Sequence, residues 1–537
     1  MQLSSCGAGW LVVLTVVLAL CVQRAQGQPT SRPAASGVER PASAPTQPQR
    51  PPVTIVPATG PAWKADLAPQ HKTVDLAVGE EQAVLLEGPD GKPQKVNVKL
   101  VKIEVEKDDL RAAVRKALVT IQVNGQEAVL TSAYYNLPQT VGGVQVDCPA
   151  VKALLENSRG NPWRLEKDAR VRVWPAGAAW IDADTFGYPL RQRWFAGPTQ
   201  MANEPTYVDG VESPTAVRNI YYHSGLDFGG AEALVDILST TDGLVVVAGN
   251  SRLAGYDDAP IQTRYDTVYV VDRRGWFHRY SHLLNIDPDV KVGRTVKMGQ
   301  RLGALGKEGD SGGWSHLHYH ISARQPSGKW GIEEAYAFVW EAYRREQKPK
   351  IVAVARPHHL ASAGSTIELD GRKSWSAAGK IDRYEWSFTD GSTAAGPTVK
   401  KRYDRSGQYC EILKVTDANG NVDCDFAIVQ IIGKGHPKDL PPGIHLAYFP
   451  TTGLKPGAEV TFKVRSFGTT AGQEQVDFGD GTAPATVKSD GNVDALAKDG
   501  YAALTHAFAK AGRYIVTARR SNERGQEGVA RVLVVVE

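Results

Sequence analysis

Cysteine is scarce in this chain, which has 5 among 537 residues, and Cys148, Cys410 and Cys424 are the three beyond residue 27. Such low usage excludes a small domain held together by disulfides. No two cysteines are spaced closely enough for a cysteine-based zinc site. Cys410 and Cys424 fall on neighbouring strands of one predicted hairpin, and the sequence leaves open whether they pair in an oxidising compartment.

An excess of one charge is also lacking, as are long apolar runs beyond the N-terminus. The net charge of +4 is too mild to indicate nucleic-acid binding, and no basic patch lined with aromatic residues is present, so we expect no nucleic-acid partner. Beyond residue 27 no segment is apolar for about 18 residues, so we expect no membrane span.

The N-terminal 62 residues predict a leader and a spacer. Residues 1–27 have the features of a secretory signal: an apolar run from Trp10 to Leu20 and a small-x-small pattern at Ala25-Gln-Gly27. Residues 28–62 are rich in Pro, Ala, Ser and Gln, which predicts a disordered or polyproline-like linker. We therefore expect the protein to be exported.

Residues 63–346 predict two β-rich domains. In the first, at 63–200, the run Gln94–Glu106 alternates polar and apolar residues, which is typical of a strand, and a short helix is predicted at Pro149–Glu156. No motif there indicates a function beyond an accessory domain. The second, at 201–346, should close with a helix over Gly331–Arg344, whose apolar residues recur every three to four positions.

The C-terminal part repeats itself. Tyr384-Glu-Trp-Ser-Phe-Thr-Asp-Gly-Ser392 matches Val476-Asp-Phe-Gly-Asp-Gly-Thr482, and each copy ends in an alternating strand. The Asp-Gly pairs predict tight turns rather than calcium sites. The copies, at 349–434 and 440–537, resemble PKD domains, which implies two immunoglobulin-like β-sandwiches that bind a glycan or protein surface or act as a spacer.

Histidines concentrate in the middle of the chain. His223-Ser-Gly-Leu-Asp227 needs a turn through Gly225 to aim both side chains at one ion. His282 lies at the expected end of a strand. The string His316-Leu-His318-Tyr-His320 predicts a half-buried strand with the three histidines on one face, and parity alone does not decide which of them binds a metal. Two imidazoles and one carboxylate are a typical ligand set for catalytic zinc.

These strings resemble the LytM/lysostaphin-type zinc metalloendopeptidases, which cleave peptide cross-links of bacterial peptidoglycan. The family's H-x-x-x-D, Y-x-H-L and H-L-H motifs recur over roughly residues 215–325. The resemblance implies that His223, Asp227 and His318 bind one Zn²⁺ per chain, whereas His282 and His316 polarise water or stabilise the transition state.

The chain departs from this family at two places. His320 stands where the family usually has Glu. The loop Gly309–Ser315 is one residue longer than usual, with Ser315 in place of a common Pro. Neither departure removes a ligand or a catalytic histidine, so they bear on substrate preference more than on catalysis.

The sequence thus predicts a mainly β chain: a β-rich accessory domain, an antiparallel-β zinc peptidase domain and two PKD-like sandwiches. The expected function is a secreted, periplasmic or cell-surface bacterial endopeptidase whose partner is a peptidoglycan peptide. The alternatives are a non-catalytic cell-wall-binding regulator and a peptidase of extracellular proteins. Since no site residue lies in the tail, we expect truncation near residue 347 to leave zinc binding and cleavage of soluble peptides intact.

Overall fold

The structure is a computed structural model that describes residues 52–60, 62–87, 91–108, 110, 112–132, 135–156, 158, 160–194, 200–202, 205–207, 220–433 and 440–537. The predicted signal segment and the linker up to residue 51 lie outside these residues. The described chain is mainly β, as predicted. Its helices include none with the length and apolarity needed to cross a membrane.

The accessory segment is built mainly of strands, which form two four-stranded sheets, β2-β9-β8-β7 and β3-β4-β5-β6, around one apolar core. Its strands, with the one that precedes it, are β1 (Thr54–Val56), β2 (Lys72–Leu76), β3 (Glu81–Glu87), β4 (Pro93–Lys107), β5 (Val114–Val123), β6 (Gln126–Thr131), β7 (Gln139–Val141), β8 (Val144–Val151) and β9 (Ala169–Pro175). β1 lies within the stretch predicted as a linker, yet it pairs in parallel with Ser251–Leu253.

The segment that carries the histidine motifs is built on a ten-stranded sheet whose main path is β1-β16-β15-β17-β18-β22-β13-β10. Its elements are β10 (Gln200–Ala202), β11 (Pro205–Tyr207), β12 (Ile220–Tyr222), β13 (Leu226–Gly229), β14 (Asp236–Leu238), β15 (Gly243–Ala248), β16 (Ser251–Leu253), β17 (Val268–Asp272), β18 (Phe277–Ser281), β19 (Leu283–Ile286), β20 (Thr295–Val296), β21 (Arg301–Leu305), β22 (His316–Arg324), β23 (Trp330–Glu333) and helix α1 (Tyr336–Gln347). A second, three-stranded sheet, β14-β21-β19, adjoins it. Helix α1 and the chain from Ile181 to Leu190 pack into the same core as the large sheet.

Two predicted helices differ from those observed. The helix predicted from Gly331 begins at Tyr336, because Trp330–Glu333 pairs with β22 as an edge strand and this pairing overrides local helix propensity. The helix predicted at Pro149–Glu156 is a 3₁₀ turn at Lys152–Leu155, since Pro149 and its neighbours continue β8 in the accessory sheet.

The tail forms two β-sandwiches, as the repeat predicted. The first contains β24 (Ile351–Val352), β25 (His359–Ser362), β26 (Ser365–Asp370), β27 (Trp375–Ser376), β28 (Ile381–Ser387), β29 (Thr393–Ala395), β30 (Thr398–Tyr403), β31 (Gly407–Asp417) and β32 (Val422–Ile432). The second contains β33 (Gly443–Phe449), β34 (Glu459–Phe467), β35 (Glu474–Asp477), β36 (Ala485–Val487), β37 (Ala502–Ala507), β38 (Gly512–Ser521) and β39 (Glu527–Val536). Gly391 and Gly481 have φ of 85° and 86°, as tight turns at the Asp-Gly pairs require.

Cys410 and Cys424 are free and buried. They lie on adjacent strands, as predicted, but they do not oppose each other, because Cys410 pairs with Ile428 and Cys424 with Lys414. Both thiols pack in a small apolar cluster between the sandwiches. They therefore act as core residues.

Buried charges join the accessory segment to the histidine-bearing segment. The Arg172 guanidinium on β9 donates to Asp147 at 2.5 Å and to Glu333 on β23 at 2.7 Å. His71 lies 3.3 Å from the same Glu333 carboxylate. Because buried charges need partners, this network fixes the two segments against each other.

Candidate metal centre

Strand β22 brings the site together from the middle of the large sheet. It pairs with β13 so that His318 lies opposite Asp227, and with β18 so that His318 also lies opposite Ser281. Leu317, Tyr319 and Ile321 point away from the site and join the core. The face of β22 that carries the histidines is buried as well, so the prediction of a half-buried strand is wrong. Other segments of the chain cover the face that the alternation of residues assigned to solvent.

The turn predicted at Gly225 folds His223 back towards Asp227. Gly225 has φ of 106°, and it links β12 to β13. A Cβ atom there would lie 2.7 Å from the Tyr319 carbonyl oxygen and 2.8 Å from the His320 Cβ. Glycine is therefore required both by the backbone conformation and by the close approach of β22.

His223, Asp227 and His318 present three ligand atoms to one point. His223 Nε2 lies 3.0 Å from Asp227 Oδ1 and 3.0 Å from His318 Nδ1, and His318 Nδ1 lies 2.9 Å from Asp227 Oδ1. Within the described residues, this is the one group of histidine, cysteine and carboxylate side chains close enough to hold a metal ion.

The donor set fits zinc. Ligands about 2.0–2.1 Å from a tetrahedral ion are about 3.3 Å apart, close to the three separations found here. An ionised carboxylate oxygen carries no proton, and one proton cannot form hydrogen bonds between all three pairs of ligand atoms. A cation can accept a lone pair from each of the three atoms at once. The site is therefore suited to a divalent ion with nitrogen and oxygen ligands.

The ionisation states of Asp227 and His318 also favour metal binding. Burial acts to raise the pKa of Asp227, but its interactions with the imidazoles of His223, His316 and His318 hold it well below its usual range. Burial lowers the pKa of His318 to about 3. At neutral pH the cluster thus offers an anionic carboxylate and a neutral imidazole, as metal binding requires.

His282 faces this cluster from the bend between β18 and β19. Its ring centroid lies 6.2 Å from that of His318 and 4.6 Å from that of His316. Its ring Nδ1 is 2.6 Å from the Glu308 carbonyl oxygen, so Nδ1 carries the proton and Nε2 keeps its lone pair.

Asp266 holds the backbone of His282, whose φ is 69°. The His282 N–H donates to Asp266 Oδ2 at 2.9 Å, and Arg264 donates to both oxygens of the same carboxylate. The sequence analysis did not single out Asp266, although it lies two residues before β17 and the antiparallel register of β17 and β18 places it opposite His282.

His316 lies beside His282 and also faces the cluster. Its Nδ1 is 3.0 Å from the Trp314 carbonyl oxygen, and its Nε2 is 3.6 Å from Asp227 Oδ2. The Trp314 ring stacks on it at 3.8 Å. Burial lowers the pKa of His316 well below its ordinary value, so this ring is neutral at pH 7 and its Nε2 points to the metal centre.

His320 has a position that the sequence flagged only as a departure. Its Nδ1 lies 3.0 Å from His318 Nε2, the ring nitrogen turned away from the cluster. Burial lowers the pKa of His320, so the neutral ring can accept the Nε2 proton of His318 and keep the Nδ1 lone pair directed at the centre.

Comparisons with known proteins match two segments of this chain. Residues 221–329 match the sequence profile of peptidase family M23, and residues 347–431 match that of the PKD domain. The first match contains the three clustered residues and both neighbouring histidines. A stretch of 86 residues is 32% identical to "Collagenase ColA" of Clostridium perfringens (strain 13 / Type A), covering 16% of this chain and 8% of that protein.

Solved structures show only weak overall likeness. Csd3 of Helicobacter pylori is 13% identical, with a TM-score of 0.19 over 50% of this chain and 82% of that chain. The tandem V-type regions of the chitin-binding protein VCBP3 are 13% identical, with a TM-score of 0.21 over 35% of this chain and 100% of that chain. Scores this low assign neither fold nor function, and it is the sequence matches that identify a peptidase family M23 domain at residues 221–329 and a PKD domain at residues 347–431.

Proposed function

We propose that the protein is a secreted zinc metalloendopeptidase that hydrolyses peptide bonds in peptidoglycan cross-links. His223, Asp227 and His318 would hold one zinc ion, and His282 and His316 would be the catalytic histidines. The observation that carries this proposal is the triangle of ligand atoms 2.9–3.0 Å apart, faced by two further imidazoles.

The roles of the histidines follow from their hydrogen bonds. Each gives its Nδ1 proton to a backbone carbonyl, Glu308 for His282 and Trp314 for His316. Each therefore offers an Nε2 lone pair that can accept the proton of an attacking water, and the resulting imidazolium can donate that proton to the leaving amine. The second histidine, once protonated, can stabilise the oxyanion.

The zinc ion, when bound, supplies Lewis-acid activation of the water and polarisation of the scissile carbonyl. The chain itself excludes bulk water, because all five side chains are buried. It also fixes the tautomers through second partners, His320 for His318 and Glu308 for His282, which is how metal-site histidines are oriented.

The choice of peptidoglycan rests on the motif resemblance to LytM/lysostaphin-type enzymes and on the M23 match. The similarity to a collagenase favours a second candidate, a peptidase of extracellular proteins, although it covers only 8% of that relative. A non-catalytic wall-binding regulator would have no need for two further imidazoles facing an intact ligand triangle.

The test is digestion of purified sacculi by the full-length protein, with products separated and identified by mass spectrometry. We expect new amino termini from cleaved cross-links and no new reducing sugar ends. Denatured collagen serves as the probe for the second candidate. Binding to sacculi without any released peptide would contradict the proposed activity and support the regulator.

A further inference from the structure

The second sandwich contacts the glycine-rich loop that leads into His316. The Ser315 N–H donates to the Tyr501 hydroxyl at 2.7 Å, and Asn492 Nδ2 donates to the Gly312 carbonyl oxygen at 3.1 Å. Arg465 donates to the Gly313 carbonyl oxygen. The loop Gly309–Ser315 is thus held from outside the peptidase domain at three consecutive peptide units.

The second sandwich approaches the loop so closely that position 313 requires glycine. Gly313 has φ of 87°, and a Cβ atom there would overlap the Asn492 side chain and lie 3.1 Å from the Ala495 Cα. Glycine at 313 therefore serves the contact with the second sandwich as well as the turn.

Arg465 makes this contact rigid. Its side chain is fully buried and donates to both oxygens of Asp490 and to the backbone carbonyls of Asp494 and Ala495. A buried guanidinium is stable only when its donors are paired. The bond to Gly313 is one of those pairings, so a displaced loop would leave a buried charge short of a partner.

The contact continues from the loop to the His316 ring. The Tyr501 hydroxyl, which accepts from Ser315, lies 2.9 Å from His445 Nδ1. His445 packs edge-on against Trp314 at 5.6 Å, and Trp314 stacks on His316. Burial lowers the pKa of His445 to about 3, so this ring is neutral and its Nδ1 can accept the Tyr501 proton.

Around these hydrogen bonds, the second sandwich and the histidine-bearing segment share a hydrophobic core. Ala231, two residues beyond β13, is fully buried in the hydrophobic core of the second sandwich, and Leu234 packs against the same core. The second sandwich thus packs against the histidine-bearing segment, so we expect its removal to disturb the site, contrary to the prediction made from the sequence.

We propose that Tyr501 and Arg465 are positioning residues for the catalytic site: through Ser315, Gly313 and Trp314 they fix His316, so that the second sandwich is part of the catalytic unit. This inference rests on the proposed function for its catalytic consequence. The holding of the loop itself can be measured without any activity.

The experiment compares Tyr501→Phe with Tyr448→Phe in the full-length protein. Tyr448 is a matched control, since it is a buried tyrosine of the same sandwich whose hydroxyl donates to the Leu533 carbonyl oxygen at 2.7 Å. Both variants lose one buried hydroxyl and keep the ring. Only Tyr501→Phe removes the acceptor of the Ser315 N–H.

Hydrogen exchange of the peptide that contains residues 309–316 is the first readout. We expect exchange in Tyr501→Phe to be about tenfold faster than in the wild type, the factor that corresponds to the net free energy of one hydrogen bond. Tyr448→Phe should exchange this peptide at the wild-type rate. Equal exchange in the two variants would overturn the proposal.

Steady-state kinetics and zinc content are the second readout. We expect kcat of Tyr501→Phe to fall about tenfold with KM and zinc content nearly unchanged, because a misplaced His316 affects the transition state and not the ligands. Faster exchange with an unchanged kcat would contradict the positioning role and leave the proposed function standing. A wild type that cleaves nothing would contradict the proposed function, and the exchange data would still decide whether Tyr501 holds the loop.

A second variant covers the case in which Tyr501→Phe does not fold. Asn492 has φ of 60°, so Asn492→Gly removes the bond to Gly312 without backbone strain. We expect it to accelerate exchange of the same peptide and to lower kcat in the same direction, by a smaller factor. Wild-type values for both would count against the proposal.

Discussion

His318 is held at both ring nitrogens, and this decides what the residue can do. Nδ1 faces Asp227 and His223, while Nε2 contacts His320. The ring cannot rotate without losing one of these partners. His318 is thus fixed in the orientation that the proposed ligand role needs, whereas His282 and His316 would each keep one nitrogen for the proposed chemistry.

We expect the His318→Ala variant to bind well below one equivalent of zinc, because a site with two ligands binds the ion far more weakly. Elemental analysis of the dialysed protein measures this. His278→Ala is the control: His278 is also buried, but it lies on the other face of the sheet, bonded to Tyr319. One full zinc equivalent in His318→Ala would contradict the ligand assignment.

His282→Ala and His316→Ala should keep the zinc and lose activity by about 10²-fold or more each, as general acid–base groups do. Zinc content and cleavage rate are measured on the same preparations. Variants with the wild-type rate would mean that these histidines are structural. Variants that lose zinc would mean that they act as ligands.

At the scale of elements, each motif is local, and the structure brings His223, Asp227 and His318 together as the motifs predicted. The turn at Gly225 and the shared face of His316, His318 and His320 follow from backbone geometry. The burial of that face does not follow from backbone geometry, because it depends on the packing of other segments of the chain. Nor does the role of Tyr501, which reaches the site through contacts between residues distant in sequence. The helix predicted from Gly331 begins later, at Tyr336, because of a strand pairing that local propensity cannot reveal.

Gly225→Ala tests whether the turn is needed. We expect it to destabilise the protein by about 1–3 kcal/mol through backbone strain and further through the clash with the Tyr319 carbonyl, and to lower zinc content. Gly255→Ala is the matched control, since Gly255 has φ of 85° and nothing within 4 Å of an added Cβ. Chemical denaturation and elemental analysis measure both effects. Equal losses in the two variants would show that the approach of β22 is unimportant.

At the scale of the whole molecule, buried polar contacts tie the peptidase domain to its neighbours on two sides. Arg172, His71 and Glu333 join it to the accessory segment, and Arg465 and Tyr501 join it to the second sandwich. Buried ion pairs stabilise little by themselves but are costly to break. The domains should therefore unfold together rather than one by one.

The junction with the accessory segment should be acid-sensitive. Burial acts to raise the pKa of Glu333, but the charges of His71 and Arg172 outweigh it and lower the pKa to about 2. A lowered folded-state pKa contributes stability that is present above the ordinary value near 4.5 and is lost as the pH falls towards 2.

Glu333→Gln should thus cost about 3 kcal/mol at pH 7, as the loss of a buried charged partner does, and the cost should shrink between pH 5 and pH 3. Denaturant titrations of both proteins at these pH values measure it. A cost that does not change with pH would contradict an ionised Glu333.

The proposed function requires a zinc ion held by His223, Asp227 and His318 for peptide hydrolysis. The direct measurement is a titration of the chelated full-length protein with zinc, in which the rate of cross-link peptide cleavage is recorded against bound metal. We expect no cleavage by the metal-free protein and a linear rise that reaches its plateau at one zinc per chain. Full cleavage without metal, or none at one bound zinc, would contradict the proposed zinc-dependent hydrolysis.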